Sequence, residues 1–423
     1  MAEEKTINTS GLFSDRFLAL GHSNFRYFLS GQSISLFGTW MQRTAQQWLV
    51  YSLTNSAWLL GLLGVCQQLP MLFFSLISGV YVDKYPKKKI LLVTQTLQML
   101  QALMLAVLVW LGLVKYWHVF ILASLLGLSN TFDMPTRQTF FIELVGRKDL
   151  KNAIGLNSTV ENIARVAGPA LAGIIMARFG IALCFLLNSL SFIAVIFSLT
   201  RIKHYAENVR SKQQRIRDEI VDGLKYIKQN ENIFYAILVT AIIGTFAMNT
   251  NVIFPVLARV VHHQEAQGFS FMVSAMGVGA LIGSLIFAAR SRNQTPRNGI
   301  ILNGLLLSAS LILTGVARNY YLTLALIALI GVFNIMFMAT VNSTLQLKAS
   351  DSFRGRVISV YYLVLTGSSP IGNFATGYVA QHLGPANSLY LGGLVSILLI
   401  AAIYFGVYRK NKTRDKLTSS AAG

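Results

Sequence analysis

The sequence predicts an all-α integral membrane protein with twelve transmembrane helices in two six-helix bundles. Hydrophobic residues make up 54% of the 423 residues and charged residues only 12%, whereas soluble domains carry about 25% charged residues. Apolar runs of roughly 20 residues, long enough to cross about 30 Å of hydrocarbon as a helix, recur along the chain. Runs such as 301–316 lack the period-two alternation of a membrane β-strand. Lipid therefore surrounds most of the chain, and its spans are helical.

Twelve apolar segments account for the predicted spans, and short polar stretches separate most of them. The first ten residues carry two acidic residues and no apolar core, which predicts that no cleavable signal peptide precedes the first span. The predicted spans are 26–52, 57–81, 88–112, 117–136, 152–178, 180–201, 232–258, 269–290, 298–317, 321–345, 356–381 and 388–408.

The order of the spans predicts two bundles joined by one long hydrophilic segment. A weak internal repeat supports this division, because a shift of 204 residues places Gly168 on Gly372 and Gly127 on Gly331. The predicted parts are an N-terminal bundle, a cytoplasmic linker with an amphipathic helix, a C-terminal bundle and a basic cytoplasmic tail, at 1–201, 202–231, 232–408 and 409–423.

The net charge of +20 is explained by membrane topology. Most of the 36 Lys and Arg residues fall in alternate loops and in the C-terminal tail, and basic loops stay on the cytoplasmic side of a membrane. This bias predicts cytoplasmic N- and C-termini in a multi-pass protein of a bacterial-type inner membrane. It also accounts for the basicity without nucleic acid as a partner.

The loop after the second predicted span carries a motif. Gly79 is followed four residues later by Asp83 and then Lys84, and three lysines follow Pro86. This loop resembles the signature between helices two and three of the major facilitator superfamily, with Pro86 where a second glycine is usual. We expect Gly79 to allow close helix packing. The resemblance implies that Asp83 and the basic residues form a latch that stabilises the outward-facing state, with Arg137 as a partner. Anchoring of the loop by charge alone is the alternative.

The fifth predicted span contains Gly168, Pro169 and Gly173. These residues resemble the core of a motif found in antiporters and drug exporters of the superfamily and less in its importers, which favours export. An ordinary kinked packing helix is the alternative, because Gly and Pro are frequent in membrane helices. The segments 38–56 and 133–138 are similar to the branch that contains the enterobactin exporter. The resemblance implies efflux and monomeric function.

Four ionisable residues within predicted spans, Arg43, Asp133, Glu161 and Arg165, are the first candidates for chemistry, because a charge there needs a partner or a cavity. Glu161 lies near the middle of its span, one helical turn before Arg165. A carboxylate there can take up and release a proton as its surroundings change, which makes Glu161 the first candidate for proton coupling. A permanent pair of Glu161 and Arg165, together with Arg43, is the structural alternative. Asp133 is the second candidate, although its neighbour Arg137 favours a role in the latch.

The sequence predicts a secondary active transporter, a proton-coupled exporter of a small amphipathic molecule such as a siderophore or drug, working by alternating access. Proton-linked import of a small solute and lipid-type translocation are the alternatives. The sequence contains no Gly-rich phosphate loop and no catalytic cluster, so we expect neither an ATP-driven pump nor an enzyme, and no cofactor or metal. The expected partners are a small-molecule substrate, protons or another coupling ion, and lipid. Residues expected to line the substrate cavity are Gln42, Gln46, Trp48, Asn249, Asn251, Asn334, Asn342 and Tyr361.

Overall fold

The computed structural model describes residues 17–202, 224–289, 296–350 and 353–421, apart from the side chains at 76, 83, 296–297 and 406–421. Over these residues the chain is helical and contains no β-strand, as the sequence predicts. The long helices are α1 (Ser23–Thr54), α2 (Ala57–Lys84), α3 (Lys87–Trp110), α4 (Tyr116–Phe179), α5 (Ile181–Arg201), α6 (Glu231–Phe246), α7 (Thr250–Val256), α8 (Ala266–Ala289), α9 (Pro296–Val316), α10 (Tyr320–Lys348), α11 (Arg354–Leu383) and α12 (Pro385–Ala421).

Nine helical stretches in the described part of the chain are long and apolar enough to cross a membrane. One of them, α4, has 64 residues and makes two passes, because a single pass needs only about 20 residues. Two more polar helices, α1 and α11, have 32 and 30 residues and are also long enough to cross. The helices therefore agree with the twelve predicted spans.

Helix α4 bends at Gly146, where φ is 70° and ψ is 175°. The sequence predicts separate spans at 117–136 and 152–178, and the polar connection between them is helical on both sides of the bend. Lysine and arginine residues in this connection are good helix formers. Glycine adopts this positive φ without strain, which lets the helix change direction.

The span predicted at 232–258 is broken rather than continuous. A break at 247–249 separates α6 from α7, and α7 continues into a π-helical turn at Leu257–Val261. Asn249 lies at the break, and its Nδ2 donates to the carbonyl oxygen of Thr245 at 2.7 Å. The side chain thus satisfies a carbonyl group near the point where the regular helix ends, which stabilises an irregular backbone in an apolar setting.

The two halves of the chain repeat each other at the ends and crossings of their helices. Gly180, between α4 and α5, has φ 85° and ψ 167°, and Gly384, between α11 and α12, has φ 89° and ψ 159°. These glycines have the same 204-residue spacing as the sequence repeat. Gly168 packs closely on Trp40 of α1, and Gly372 packs closely on the end of α6. The weak sequence repeat therefore reflects a repeated backbone geometry.

Internal contacts divide the chain into two compact units. The first contains Met1–Ala45 and Phe73–Lys212, and the second contains Gln46–Leu72 and Gln213–Gly423. The end of α1 and the start of α2 therefore belong to the second unit. The division into sequential bundles around a linker at 202–231 stays a prediction.

Helix α2 begins against α11 within the second unit. The amide nitrogen of Ala57 donates to Gln381 Oε1 at 2.9 Å. The ring centroids of Trp58 and Phe374 are 4.3 Å apart. These contacts explain why the start of α2 is grouped with the second half of the sequence.

An aromatic cluster joins the start of α1 to α4 in the first unit. The ring of Phe28 meets those of Phe140 and Phe141 edge to face, with centroids 5.6 and 5.7 Å apart. Just before α1, the amide nitrogen of Ala19 donates to Asn152 Oδ1 at 3.1 Å. Phe140 and Asn152 lie on opposite sides of the bend in α4, so both limbs of that helix are held by the same end of α1.

Most of the predicted linker, 203–223, lies outside the described residues, and its last part, 224–229, is helical. The ring of Tyr226 stacks on Phe353 with centroids 4.4 Å apart. The amide nitrogen of Ser350 donates to the Tyr226 hydroxyl at 3.0 Å, and this contact lowers the pKa of Tyr226. The end of the linker is therefore held beside the start of α11.

Gly331 in α10 has no room for a side chain, because an added Cβ would overlap backbone atoms of α8, including the Ala280 nitrogen at 2.9 Å. We expect Gly331→Ala to destabilise the protein by about 1–3 kcal/mol, the usual cost of overpacking, and to lower its melting temperature in detergent. Gly355→Ala is the control, since nothing lies within 4 Å of a Cβ added there. Equal melting temperatures for the two variants would contradict the close crossing of α8 and α10.

Candidate functional site

Two arginines and one glutamate gather around Trp40 in the first unit. Arg43 follows Trp40 on α1, and Glu161 and Arg165 lie one turn apart on the second limb of α4. The Cζ atoms of Arg43 and Arg165 lie 5.1 and 5.3 Å from the centroid of the Trp40 ring. Glu161 Oε1 lies 3.8 Å from Nη2 of Arg165. The structure thus brings together three of the four charged candidates, all except Asp133. We call Trp40, Arg43, Glu161 and Arg165 the Trp40 cluster.

The Gly-Pro motif positions the Trp40 cluster. A Cβ added at Gly168 would lie 2.6 Å from Trp40 Cβ and 3.2 Å from the Phe37 carbonyl oxygen, so glycine is needed for α4 to approach α1 this closely. Pro169 and Gly173 follow it and are both buried inside α4. The motif therefore sets the distance between the Trp40 indole and the turn that carries Glu161.

The Trp40 cluster has a surplus positive charge and is partly exposed. The side chains of Glu161 and Arg165 are 43% and 31% exposed, and Arg43 is exposed. Arg43 forms no ion pair with any residue that the structure describes, but it interacts electrostatically with Glu161 and Arg165. Glu161 is therefore a partly exposed carboxylate held by one long ion contact.

Asp133, in contrast, is held by a full set of donors. It is 2% exposed and accepts hydrogen bonds from Thr94 Oγ1 at 2.8 Å and from Gln95 Nε2 at 2.7 Å. Nε of Arg137 donates to Oδ2 at 3.1 Å, and Nη2 of the same arginine makes a second contact with that oxygen. These bonds tie α3 to α4 and leave Asp133 without access to solvent.

The loop motif is described only in part, because the side chain of Asp83 lies outside the described residues. Nothing lies within 4 Å of a Cβ added at Gly79, so the close packing expected there is wrong for this structure. Lys84 is exposed. Lys87 is buried and pairs with Glu143 of α4, with 3.7 Å between Nζ and Oε1. Glu143 lies in the connection between the spans predicted at 117–136 and 152–178. The sequence does not predict this pair, because the pair depends on how that connection packs against α3. The latch itself stays a prediction.

Gln42, which the sequence assigns to the substrate cavity, is instead buried within a relay of amide hydrogen bonds. Ser191 Oγ donates to Asn188 Oδ1 at 3.1 Å, and Asn188 Nδ2 donates to Gln42 Oε1 at 2.7 Å. Gln42 Nε2 then donates to Gln101 Oε1 at 2.9 Å. The relay ends at Nε2 of Gln101, which is buried and has no hydrogen-bond partner among the atoms that the structure describes. We call this set the amide relay.

Two further residues predicted for the cavity are packed within the second unit. Gln46 and Trp48 are both buried. Gln67 Nε2 donates to Gln46 Oε1 at 3.4 Å, and the Trp48 ring stacks on Phe269 with centroids 5.9 Å apart. Neither side chain is open to solvent here, and their contact with substrate stays a prediction.

The cavity candidates from the second half of the chain differ in exposure. Asn249 and Tyr361 are buried, and the Tyr361 hydroxyl lies 3.6 Å from a methionine sulfur. Asn342 Oδ1 accepts a hydrogen bond of 2.5 Å from a glutamine one turn further along α10. Asn251 is exposed and Asn334 is half-buried. Contact of each of these residues with the substrate stays a prediction.

A cavity of about 600 Å³ runs along α3, between the end of α2 and the first limb of α4, wholly within the first unit. Its walls are mostly apolar, and Gln101 is part of its lining. None of the residues predicted for the substrate cavity lines it. Its volume falls in the range of about 300–1,000 Å³ that is usual for small-molecule sites. We call this cavity the α3 groove.

Comparison with known proteins gives matches along most of the chain. A family described as transmembrane secretion effector matches residues 15–422. The staphyloferrin A transporter of Staphylococcus aureus is 26% identical, over 92% of this chain and 97% of its own. Macrolide efflux protein A of Streptococcus pyogenes is 22% identical, over 88% and 92%. The multidrug efflux pump Tap of Mycolicibacterium fortuitum is 24% identical, over 84% and 88%.

Solved structures of transporters share the fold. The nucleoside transporter NupG aligns with a TM-score of 0.72 at 13% identity, over 90% of this chain and 98% of its own. A bacterial homologue of the human lysosomal transporter Spinster aligns with a TM-score of 0.70 at 10% identity, over 92% and 97%. These similarities show an all-helical transporter fold of the major facilitator type.

The helices and the bacterial relatives agree with the expected multi-pass location in a bacterial plasma membrane. The relatives and the structural neighbours named above are transporters, as the sequence predicts, and not enzymes. Since the family match covers nearly the whole sequence, this chain belongs to the transmembrane secretion effector family of the major facilitator superfamily.

Proposed function

We propose that this protein exports a small amphipathic molecule, of the siderophore or drug class, in exchange for protons by alternating access. Export is supported by relatives named as a siderophore transporter, a macrolide efflux protein and a multidrug efflux pump. It is also supported by the buried Gly168 and Pro169 of the antiporter-type motif. Both termini lie in the cytoplasm in this proposal, as the distribution of basic residues favours.

The contrast between two carboxylates carries the proposal of proton coupling. Asp133 is buried and has donors from three side chains. Glu161 is 43% exposed and makes a single ion contact of 3.8 Å. A coupling residue has to gain and lose its proton in each cycle, which requires access to water and a weakly held charge. Glu161, which is partly exposed and weakly held, suits that role better than Asp133, which is buried and firmly held.

Protonation of Glu161 would act on the packing of α1 against α4. The ionised carboxylate attracts Arg165, whose guanidinium also lies over the Trp40 ring. A neutral Glu161 releases that attraction and leaves two arginines, Arg43 and Arg165, as neighbouring like charges. A transporter with two conformations responds to such a local change by shifting its population. The Gly168 contact transmits the change because it joins the same two helices.

Proton-linked import and lipid-type translocation remain the alternatives to export. They differ from it in the direction of flux and in the molecule that moves. In inverted membrane vesicles, an exporter accumulates its substrate, whereas an importer depletes it. Asp83, Lys84 and Arg137 complete the proposal as the latch of the outward-facing state.

The first test is proton flux in liposomes that contain a pH-sensitive dye. We expect wild-type protein under an imposed pH gradient to move protons when a macrolide, an amphipathic molecule with acceptor oxygens, is added. Glu161→Gln should lose this flux, because the amide keeps the size of the side chain but takes up no proton. Glu265→Gln should keep it, since Glu265 is an exposed residue outside the spans.

The outcomes separate the two interpretations of Glu161. Flux retained in Glu161→Gln would mean that the Glu161 and Arg165 pair is structural. Substrate movement by wild-type protein without any proton signal would refute proton coupling and leave another ion, or facilitated diffusion, as the driving process.

The second test concerns the stability contributed by Asp133. We expect Asp133→Asn to destabilise the protein by about 2–3 kcal/mol, below the roughly 3–5 kcal/mol of a fully buried pair, because the Arg137 side chain is 18% exposed. Thermal melting in detergent measures this change. Glu161→Gln should leave the melting temperature almost unaltered, since that pair is long and exposed. A larger loss in Glu161→Gln than in Asp133→Asn would reverse the assignment of the two roles.

A further inference from the structure

The α3 groove has the length and position of a route from the lipid. Its lining on α3 begins at Lys89 and ends at Met104, which corresponds to roughly 22 Å along a helix. Val93, Leu97 and Met104 are each more than half exposed, and they lie on a helix apolar enough to cross a membrane. Exposed apolar side chains on such a helix face the bilayer. The groove is therefore open to lipid along much of its length.

The floor of the groove carries a hydrogen-bond donor that has no acceptor. Gln101 is 5% exposed, and its Nε2 has no partner among the described residues. Its Oε1 is already occupied by the donor of Gln42. Within the amide relay, Asn188 Nδ2 donates to Gln42 and Gln42 Nε2 donates to Gln101, so Nε2 is the free end of the Gln101 amide. A buried donor left unsatisfied is costly, so a ligand that supplies an acceptor is favoured.

The depth of Gln101 in the membrane indicates which kind of molecule occupies the groove. Gln101 is fourteen residues after the start of α3, or roughly 21 Å along its axis. A phospholipid acyl chain at that depth offers carbon and hydrogen alone, because its ester oxygens stay near the membrane surface. An amphipathic solute that carries an oxygen within an apolar body offers both wall contacts and an acceptor. A charged group is disfavoured, since the donor is neutral and the surroundings are apolar.

We propose that the α3 groove binds the exported molecule as it leaves the lipid, and that Gln101 selects an uncharged apolar body with an acceptor oxygen. The inference rests on the proposed export function and names the substrate class for it. Gln42 acts as a positioning residue, because it holds the Oε1 of Gln101 and so turns Nε2 toward the ligand.

Photolabelling tests this binding with a probe of the required chemistry. The probe is 4-hexyloxybenzophenone, which is uncharged and apolar and carries a ketone and an ether oxygen as acceptors. It forms a covalent bond on illumination. Full-length protein in lipid nanodiscs is labelled without any gradient, and the labelled peptides are identified by mass spectrometry. We expect labels on α3 and on the first limb of α4, in the segments 86–104 and 122–132 that line the groove.

Matched variants separate recognition by Gln101 from filling of an apolar surface. Gln101→Leu should reduce labelling about three- to tenfold, the worth of one hydrogen bond, and Gln101→Met repeats the test if the leucine variant does not fold. Leu97→Trp should block the groove. Leu103→Trp is its control, since Leu103 lies on the same helix, is exposed and does not line the groove.

Three results would overturn the proposal. Labels that map outside the groove would refute the site. Labelling that Leu97→Trp abolishes and Gln101→Leu leaves intact would identify an acyl-chain groove without acceptor recognition. Labelling that is unchanged in every variant would mean binding by partition into lipid alone.

The readout is independent of proton coupling. Labelling is measured without a gradient, and binding needs no proton movement. Labelling with no substrate-dependent proton flux in wild type would retain the groove and refute the coupling. Proton flux without groove labelling would retain the coupling and refute the groove.

Discussion

Lipid supplies no hydrogen-bond partners, so several buried amide and carboxylate side chains in the first unit find their partners on neighbouring helices. In the first unit this constraint produces two buried networks. The amide relay links α5, α1 and α3 through Asn188, Gln42 and Gln101. The Asp133 network links α3 to α4 through Thr94 and Gln95. Because each network requires specific helices to be adjacent, the networks determine how this unit packs, and the apolar contacts fill the remaining space.

The Trp40 cluster and the α3 groove are separate sites that are linked through α1. Gln42 and Arg43 are consecutive on α1; Gln42 belongs to the amide relay, which ends at the groove, and Arg43 belongs to the cluster. A rotation or shift of α1 therefore alters both places together. Proton and substrate do not need to compete for one group in this arrangement. Their coupling would pass through the position of one helix, which is a contiguous physical connection.

The sequence predicts the helices, their spans and the charged members of the Trp40 cluster, because lipid thickness and the cost of buried charge act on local composition. It does not predict Gln101 or the pair of Lys87 and Glu143, since these depend on which residues meet across helices. The break beside Asn249 and the helical connection around Gly146 were also missed. An asparagine in an apolar run and a charged segment between two spans each allow more than one backbone path, and tertiary packing decides between them.

The two limbs of α4 are both fastened to the start of α1, through Phe140 and Phe141 on one side of the bend and through Asn152 on the other. Contacts with the start of α1 therefore restrict bending at Gly146, although glycine itself permits a wide range of backbone angles. These three helical segments have to pivot as one stiff block at that end of the membrane. Any opening within the first unit is left to elements outside the block, such as the part of α2 from Phe73 onward, which borders the groove.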